Sequence, residues 1–348
     1  MIACATQSRR ATVAENSRVA NTVGACDHFH CMDEGTVARY IKEIGRGRNA
    51  AGDLSRDEAR SLFTAMLGGL VPDLQLGAIL IALRVKGESL EELAGFAAAC
   101  EASYNHLPAL EEAAVPVVIP SYNGARQLPN LVPLLAMLLA RNGIPVFIHG
   151  VTRDPARVTT RQVLEALGIE ASLSSQDACA RLTTRRLAFM PVEVLAPEIA
   201  SLLALRSVLG VRNSAHTLAK MLQPFAGSAV RIVSVTHPDY LTRMREYFTQ
   251  YDTAALSLRG AEGEAVAHPR REPSLEWLYE GQCEVWKDET AGPHGAAEIP
   301  AEKDAASTAR WIDKVLAGEA PIPRAIQHQV ECCARASLLL GHTERPAS

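Results

Sequence analysis

The segment 115–168 constrains the fold more strongly than any other part of the chain. It opens with a short apolar stretch rich in β-branched residues, Val115–Ile119, which a polar, glycine-containing loop separates from the apolar helical run Leu131–Ala140. A second buried strand, Pro145–His149, follows, and then a basic loop and another helical run. This order is the strand–loop–helix–strand repeat from which parallel α/β sheets are built.

The loop after the first strand of this unit is the first place to look for function. In open α/β sheets, ligands bind outside the carboxyl ends of the strands. Backbone N–H groups and the positive end of the following helix hold anions there. The sequence therefore predicts a ligand site around residues 120–130 before any motif is considered.

Length and composition set the class of protein. A chain of 348 residues with 48% hydrophobic residues has enough apolar material for two domains with full cores. Its eight irregularly spaced cysteines suit a reducing compartment, and no stretch is apolar for long enough to span a membrane. We therefore expect a cytoplasmic protein that does not associate with membranes.

The sequence predicts helices before the central unit, and both helices and strands after it. Residues 1–31 have no sustained hydrophobic period and are predicted to be a disordered tail, whose Cys26–Cys31 stretch lacks the ligand spacing of a structural zinc site. Residues 34–106 read as amphipathic helices, one of which begins with a capping box at Ser55. We predict helices throughout 171–224, strands at 229–235, 254–258 and 283–287, and closing helices from Ser307.

Three motifs resemble those of the anthranilate phosphoribosyltransferase family, which shares its fold with pyrimidine nucleoside phosphorylases. The first is His149-Gly150 followed by the sequence VLEALG at 163–168. The second is the R-x-x-L-G-x-R segment from Arg206 to Arg212, with Pro224 at the family's distance. The third is Thr236-His237-Pro238 at the end of a predicted strand. The resemblance covers about residues 34 to 340.

The resemblance implies an α/β protein with a small all-helical N-terminal domain and a larger α/β domain around a mainly parallel central sheet. It places the helical domain at residues 32–107 and the α/β domain at 115–340, with 178–205 crossing near the hinge and a short tail at 341–348. It also implies homodimerisation through the helical domain.

The departures from the family pattern affect its donor site. The glycine-rich loop that holds phosphoribosyl pyrophosphate is replaced by Pro-Ser-Tyr-Asn-Gly-Ala, and both hydroxyl residues after Asn130 are lost, so the degraded donor loop comprises Ser121, Tyr122, Asn123, Gly124 and Asn130. His149 and Gly150 remain as a relic of the acceptor site. The family's adjacent acidic pair, which binds Mg²⁺, corresponds to Gly263-Glu264.

The loop 259–272 that carries this pair keeps two acidic residues. Because the partner aspartate is missing, we expect the loop to be solvated. Glu262 and Glu264 then bind Mg²⁺ weakly at most, and we expect no metal site and no cofactor.

A basic segment accompanies these losses. Residues 141–220 contain ten Lys or Arg against six Asp or Glu, about +4 in a chain of net charge −4. Such a local excess is typical of a site for a polyanion. We predict a phosphate-binding cluster of Arg153, Arg157, Arg161, Arg206, Arg212 and Lys220. The first three are four residues apart and share one face if their segment is helical, although Pro155 disfavours a helix in the first turn.

These features resemble the YbiB subfamily of this fold, which is described as nucleic-acid-binding. The sequence therefore favours a protein without catalytic residues that binds single-stranded DNA, RNA or duplex DNA through backbone phosphates in a basic groove, without sequence specificity. The alternative is a phosphoribosyl- or other glycosyltransferase with an altered donor loop.

Overall fold

The computed structural model describes residues 34–47, 49–110, 112–236, 238–251, 253–290 and 299–343. The predicted tail 1–31 with its Cys26–Cys31 stretch, His237 of the third motif and residues 344–348 lie outside this part of the chain. No helix among the described residues is long and apolar enough to cross a membrane.

Four helices form an N-terminal bundle. Ser55 and Ser89 each begin a helix with a capping box, in which the serine hydroxyl accepts from the N3 backbone while the N3 glutamate accepts from the serine N–H. The helices pack through fully buried apolar side chains such as Leu62, Phe63 and Phe96. Their bounds are α1 Glu34–Ile44, α2 Arg56–Leu67, α3 Asp73–Lys86 and α4 Leu90–Glu101.

The remaining described residues form an α/β unit around a seven-stranded sheet of order β3-β2-β1-β4-β5-β6-β7. Strands β1 to β5 pair in parallel, and β6 and β7 join as antiparallel strands at one edge. The strands are β1 Val117–Ser121, β2 Val146–Gly150, β3 Leu187–Pro191, β4 Val230–Ser234, β5 Ala255–Leu258, β6 Leu275–Tyr279 and β7 Gln282–Lys287.

Helices cover both faces of the sheet. One core joins the N-terminal bundle to one sheet face through Phe147 and Phe225, and a second core lies under α5, α6, α13 and α14 on the other face. The helices of this unit are α5 Val132–Arg141, α6 Thr160–Ala166, α7 Ser175–Arg185, α8 Val192–Leu195, α9 Pro197–Ala204, α10 Arg206–Leu209, α11 Ala215–Leu218, α12 Pro238–Gln250, α13 Ala305–Leu316 and α14 Arg324–Thr343.

Two strands were not predicted. The prediction of helices throughout 171–224 is wrong at β3, and β6 was not recognised beside β7. Both are five-residue segments, and a short apolar run of this length fits a strand or a helix equally well until its neighbours are known. β3 is buried along its whole length beside β2, which determined its conformation.

Candidate anion-binding cleft

Strand β1 ends at Ser121 on the carboxyl edge of the sheet, and the predicted ligand loop follows it. β1 and β2 approach closely here, because a Cβ atom on Gly150 would lie 1.8 Å from the carbonyl oxygen of Ser121. The side chains of Ser121, Tyr122 and Asn123 are all at most 4% exposed. The start of the loop therefore presents little side-chain surface, and its backbone N–H groups determine what it can hold there.

Glu264 occupies the anion position of this loop. Its carboxylate accepts hydrogen bonds from the backbone N–H of Asn123 at 2.6 Å, from the N–H of Gly124 at 2.7 Å and from the Ser121 hydroxyl at 2.5 Å. The residue is 1% exposed. Three donors converging on one buried carboxylate form the environment that stabilises an anion. The expectation that the loop 259–272 is solvated is therefore wrong at this residue.

Glu262 binds the next part of the same loop. Its carboxylate accepts from the backbone N–H groups of Arg126, Gln127 and Leu128 at 2.7 to 3.1 Å. The guanidinium of Arg157 lies 3.5 Å away. Together the two glutamates satisfy five consecutive or near-consecutive amides that would otherwise face an external anion.

Gly263, between these glutamates, is required by close packing. It has φ of +81°, and a Cβ atom there would lie 2.1 Å from Nδ2 of Asn123. Asn123 also donates from Nδ2 to the carbonyl oxygen of Glu262 at 3.1 Å. The asparagine thus takes the space that a side chain at position 263 would need. Asn123 and Gly263, which both depart from the family pattern, therefore fit each other.

The residues present do not fit a magnesium diphosphate. Mg²⁺ requires free carboxylate oxygens in a near-octahedral arrangement. Both carboxylates of the loop are already engaged by hydrogen-bond donors and by Arg157. A metal ion would have to displace these contacts.

The N-terminus of α5 is also closed to an external anion. Asn130, 1% exposed, accepts from the Val132 N–H through Oδ1 at 3.2 Å and donates to the carbonyl oxygen of Val158 at 3.1 Å. Val132 and Pro133 bury the first turn. A phosphate would need these N–H groups exposed.

The relic acceptor residue His149 lies inside the protein. It is fully buried, and its Nδ1 is 2.7 Å from the hydroxyl of Tyr122. Burial lowers the pKa of His149 to about 3, so the ring is neutral at physiological pH. Its role in this structure is to pair with Tyr122.

A cleft of about 580 Å³ lies between the N-terminal bundle and the carboxyl edge of the sheet. Four cationic side chains line it, against Glu88 as the acidic residue among the described lining residues. Glu88 accepts from the Ser214 hydroxyl at 2.5 Å and has Arg243 3.9 Å away, so its charge is engaged. The four cations are Arg84, Arg206, Arg212 and Lys220.

Burial and neighbouring positive charges lower the pKa of two of these cations. Burial lowers the pKa of Arg212, and the charges of Arg206 and Arg157 lower it further. Burial likewise lowers the pKa of Lys220 to about 8, with Glu264 acting in the opposite direction. The Lys220 ammonium donates to the carbonyl oxygen of Gly263 at 2.8 Å, above the filled loop. The cleft therefore carries positive charge that its own residues only partly balance.

The local chain direction explains how two of these arginines meet. The R-x-x-L-G-x-R segment forms the short helix α10, and the chain turns at Gly210 in the left-handed region. This turn brings Arg206 and Arg212 to the same cleft, where Arg206 pairs with Asp154 at 3.3 Å and Arg84 donates to the carbonyl oxygen of Arg212 at 2.8 Å.

The other predicted arginines do not form the expected helical face. Residues 151–159 are a loop, and only Arg161 lies on a helix, α6, where it pairs with Glu165. Pro155 disfavours a helical conformation for the residue before it and removes an N–H. Arg153 is exposed, and Arg157 is half-buried against Glu262. Three of the six predicted cations, at positions 206, 212 and 220, therefore line the cleft.

Sequence reasoning missed two parts of the site. Arg84 belongs to the helical bundle, and its position beside residue 212 depends on how the bundle packs on the sheet. The carboxylates of Glu262 and Glu264 were recognised as remnants of a metal site. Their role as internal anions depends on contacts between loops about 140 residues apart.

Comparisons with known proteins agree with this architecture. Residues 38–103 match the helical bundle domain of the glycosyl transferase family. In solved structures, the fold is similar to that of anthranilate phosphoribosyltransferase from Thermus thermophilus, with a TM-score of 0.67 at 20% identity over 88% of this chain and 89% of that chain. The enzyme from Saccharomyces cerevisiae in complex with PRPP and Mg gives a TM-score of 0.68 at 14% identity, over 90% and 94%.

Proteins with similar sequences identify the family to which the chain belongs. Anthranilate phosphoribosyltransferase from Persephonella marina is 27% identical over 67% of this chain and 65% of its own length. The fold is thus that of the anthranilate phosphoribosyltransferase-like glycosyl transferases. The uncharacterized protein YbiB of Escherichia coli (strain K12) is 47% identical over 301 residues, which are 85% of this chain and 92% of that protein. The chain belongs to the YbiB family within this group.

Proposed function

We propose that this protein binds nucleic acid without sequence specificity, through backbone phosphates in the cationic cleft. One observation carries the proposal: the chain's own carboxylates fill the loop that could hold a small phosphate donor, while Arg84, Arg206, Arg212 and Lys220 leave the neighbouring cleft positively charged. Arg206 has Asp154 as an ionic partner, whereas Arg84, Arg212 and Lys220 have no ion pair among the described residues, and such cations favour an anionic ligand.

A polyanion suits this cleft better than a compact diphosphate. The cations come from three separate parts of the chain, α3, α10 and the segment 212–220, so more than one phosphate of a strand can meet a cation there. Binding of this kind gains free energy mainly from counterion release, varies little with base sequence and weakens with salt. Phosphoribosyl or other glycosyl transfer, the alternative function, requires the two glutamates to leave the loop before a donor enters.

The experiment that tests the proposal compares two charge-reversal pairs. The protein is titrated with a fluorescent single-stranded oligonucleotide at several salt concentrations. Arg212→Glu with Lys220→Glu should weaken binding about tenfold or more and reduce the salt slope by about 1.4, as expected for two phosphate contacts to a single strand. Arg310→Glu with Lys314→Glu on α13, outside the cleft lining, makes the same change in net charge and should bind like wild type.

Equal weakening by both pairs would show that binding follows net charge and does not use the cleft. A calorimetric titration with phosphoribosyl pyrophosphate and Mg²⁺ addresses the alternative. We expect no binding heat. A clear heat together with negligible oligonucleotide affinity would favour a transferase.

A further inference from the structure

A second cavity lies at the opposite edge of the sheet from the cleft. It has a volume of about 830 Å³ and lies between α4, the segment 218–228, the start of β4 and the last turns of α12. This volume is within the range of small-molecule sites. None of the residues discussed for the cationic cleft lines it.

The cavity contains a buried arginine without an acidic partner. Arg231, the second residue of β4, is 8% exposed and lines the cavity. Its Nη1 donates to the carbonyl oxygen of Met221 at 3.2 Å, and its guanidinium lies 5.0 Å from the centre of the Phe248 ring. Its Nε is buried with no hydrogen-bond partner. Among the described residues, no carboxylate lies within the 4.0 Å limit of an ion pair.

Glu101 is the carboxylate whose charge acts on the Arg231 guanidinium, and it already has other hydrogen-bond partners. Its carboxylate accepts from the Tyr104 hydroxyl at 2.8 Å and contacts the His106 ring at 2.9 Å. An arginine keeps its proton at any physiological pH, so its buried charge needs either water or an anion. Arg56 and Arg231 against Glu101 leave the described lining one positive charge in excess.

The rest of the lining contains polar side chains such as Gln223 and Thr253, and its apolar part lies on two walls. The wall of α4 contributes three alanines, and the opposite wall contributes Leu218, Met221 and Phe225. Tyr247 of α12 and Tyr251, directly after this helix, also line it, with ring centroids 5.0 Å apart. An occupant matched to this lining has one negative charge and a compact apolar body.

We propose that this cavity binds a small organic carboxylate, whose charged end pairs with Arg231 and whose apolar body lies between the α4 alanines and the tyrosine rings. The ligand provides the buried guanidinium with an anionic partner, which the described residues do not supply. A bidentate carboxylate suits the planar fork of an arginine side chain. This site is independent of the nucleic-acid cleft and of the function proposed for it.

Benzoate is a suitable probe, with benzamide as its uncharged counterpart. In calorimetric titrations, wild-type protein should bind benzoate, and benzamide should bind about tenfold more weakly or worse because it lacks the charge-assisted pair. Arg231→Met should reduce benzoate affinity by a similar factor. Ala97→Phe fills the cavity from α4 without changing Arg231, so it tests the site even if the arginine variant fails to fold.

A benzoate titration of the cleft variant Arg212→Glu with Lys220→Glu shows which of the two sites binds benzoate. The variant should bind benzoate like wild type, because the two sites share no lining residue. Loss of binding in this variant would assign the carboxylate to the cationic cleft and overturn the proposal. Absence of benzoate binding to wild type, or unchanged binding in Ala97→Phe, would also overturn it.

Discussion

Glu264 illustrates how one residue can change its chemistry while its identity is kept. In the family pattern, the corresponding glutamate belongs to an acidic pair that holds Mg²⁺. Here its carboxylate accepts from two loop N–H groups and the Ser121 hydroxyl. Its negative charge is therefore held inside the protein by hydrogen-bond donors of the loop after β1.

Lys220 provides a residue-scale prediction about pH. Its pKa is lowered to about 8 by burial, so the free ammonium loses its proton as the pH rises through that value. A bound phosphate requires the charged form, so oligonucleotide affinity should be constant below the pKa. Above it, affinity should fall by up to about tenfold per pH unit.

The measurement is a titration at constant ionic strength from pH 7 to pH 9, with Lys220→Met as the comparison. The methionine variant should bind more weakly at neutral pH and show no decline in this range. A decline of the same size in both proteins would assign the effect to another group.

At the scale of elements, hydrogen bonds between two loops fill the backbone donors of the predicted ligand loop. The loop after β1 and the 3-10 turn Ala261–Gly263 interlock through Asn123 and the two glutamates. Five backbone amides of the first loop are satisfied by side chains of the second. This contact joins the two loops at the carboxyl edge of the sheet, beside the cationic cleft.

The coupling between Asn123 and Gly263 gives a prediction at this scale. Gly263→Asp restores an acidic pair but forces a side chain into the space of the Asn123 amide, at positive φ. We expect the free energy of unfolding to fall by about 3 kcal/mol or more, from backbone strain and overpacking together. Urea denaturation measures the loss.

The double variant Gly263→Asp with Asn123→Gly is the matched control. It removes the clashing amide and should recover part of the lost stability, since neighbouring substitutions are not additive. Additive losses in the double variant would contradict the proposed coupling between the two loops.

At the scale of the whole molecule, an apolar face remains on the helical bundle. On α3, Leu74 is 87% exposed, Val85 is 54% exposed and Ile81 is 39% exposed. They line an apolar depression with Ile41 of α1. Contiguous exposed apolar surface of this kind marks a protein interaction site. We propose that a second copy of this chain covers it and forms a homodimer.

Leu74→Arg tests this proposal. A charge at the centre of the apolar face should convert the dimer to a monomer without loss of fold, because the side chain lies outside the core. Light scattering coupled to size exclusion measures the mass, and circular dichroism checks the helix content. Ile322→Arg, at an exposed apolar side chain after α13, should leave the mass unchanged. A monomeric wild type would disprove the dimer.

The sequence by itself determined the fold class and the sheet edge at which a site is expected. The strand–loop–helix–strand unit and the capping boxes are local patterns, and local patterns fix the type of an element and the sheet edge where a loop lies. Comparison of the sequence with the family pattern also showed the loss of the glycine-rich loop and the gain of Lys220. The three cations at 206, 212 and 220 were found in this way.

The tertiary structure decided what each charged group does. Arg206 and Arg212 meet in the cleft, whereas Arg161 pairs with Glu165 on α6 and Arg157 turns to Glu262. Among the described residues, no carboxylate forms an ion pair with Arg231, which β4 places at the amino edge of the sheet. Ionic contacts join residues far apart in the chain and depend on distances of a few ångströms, which composition and spacing do not encode.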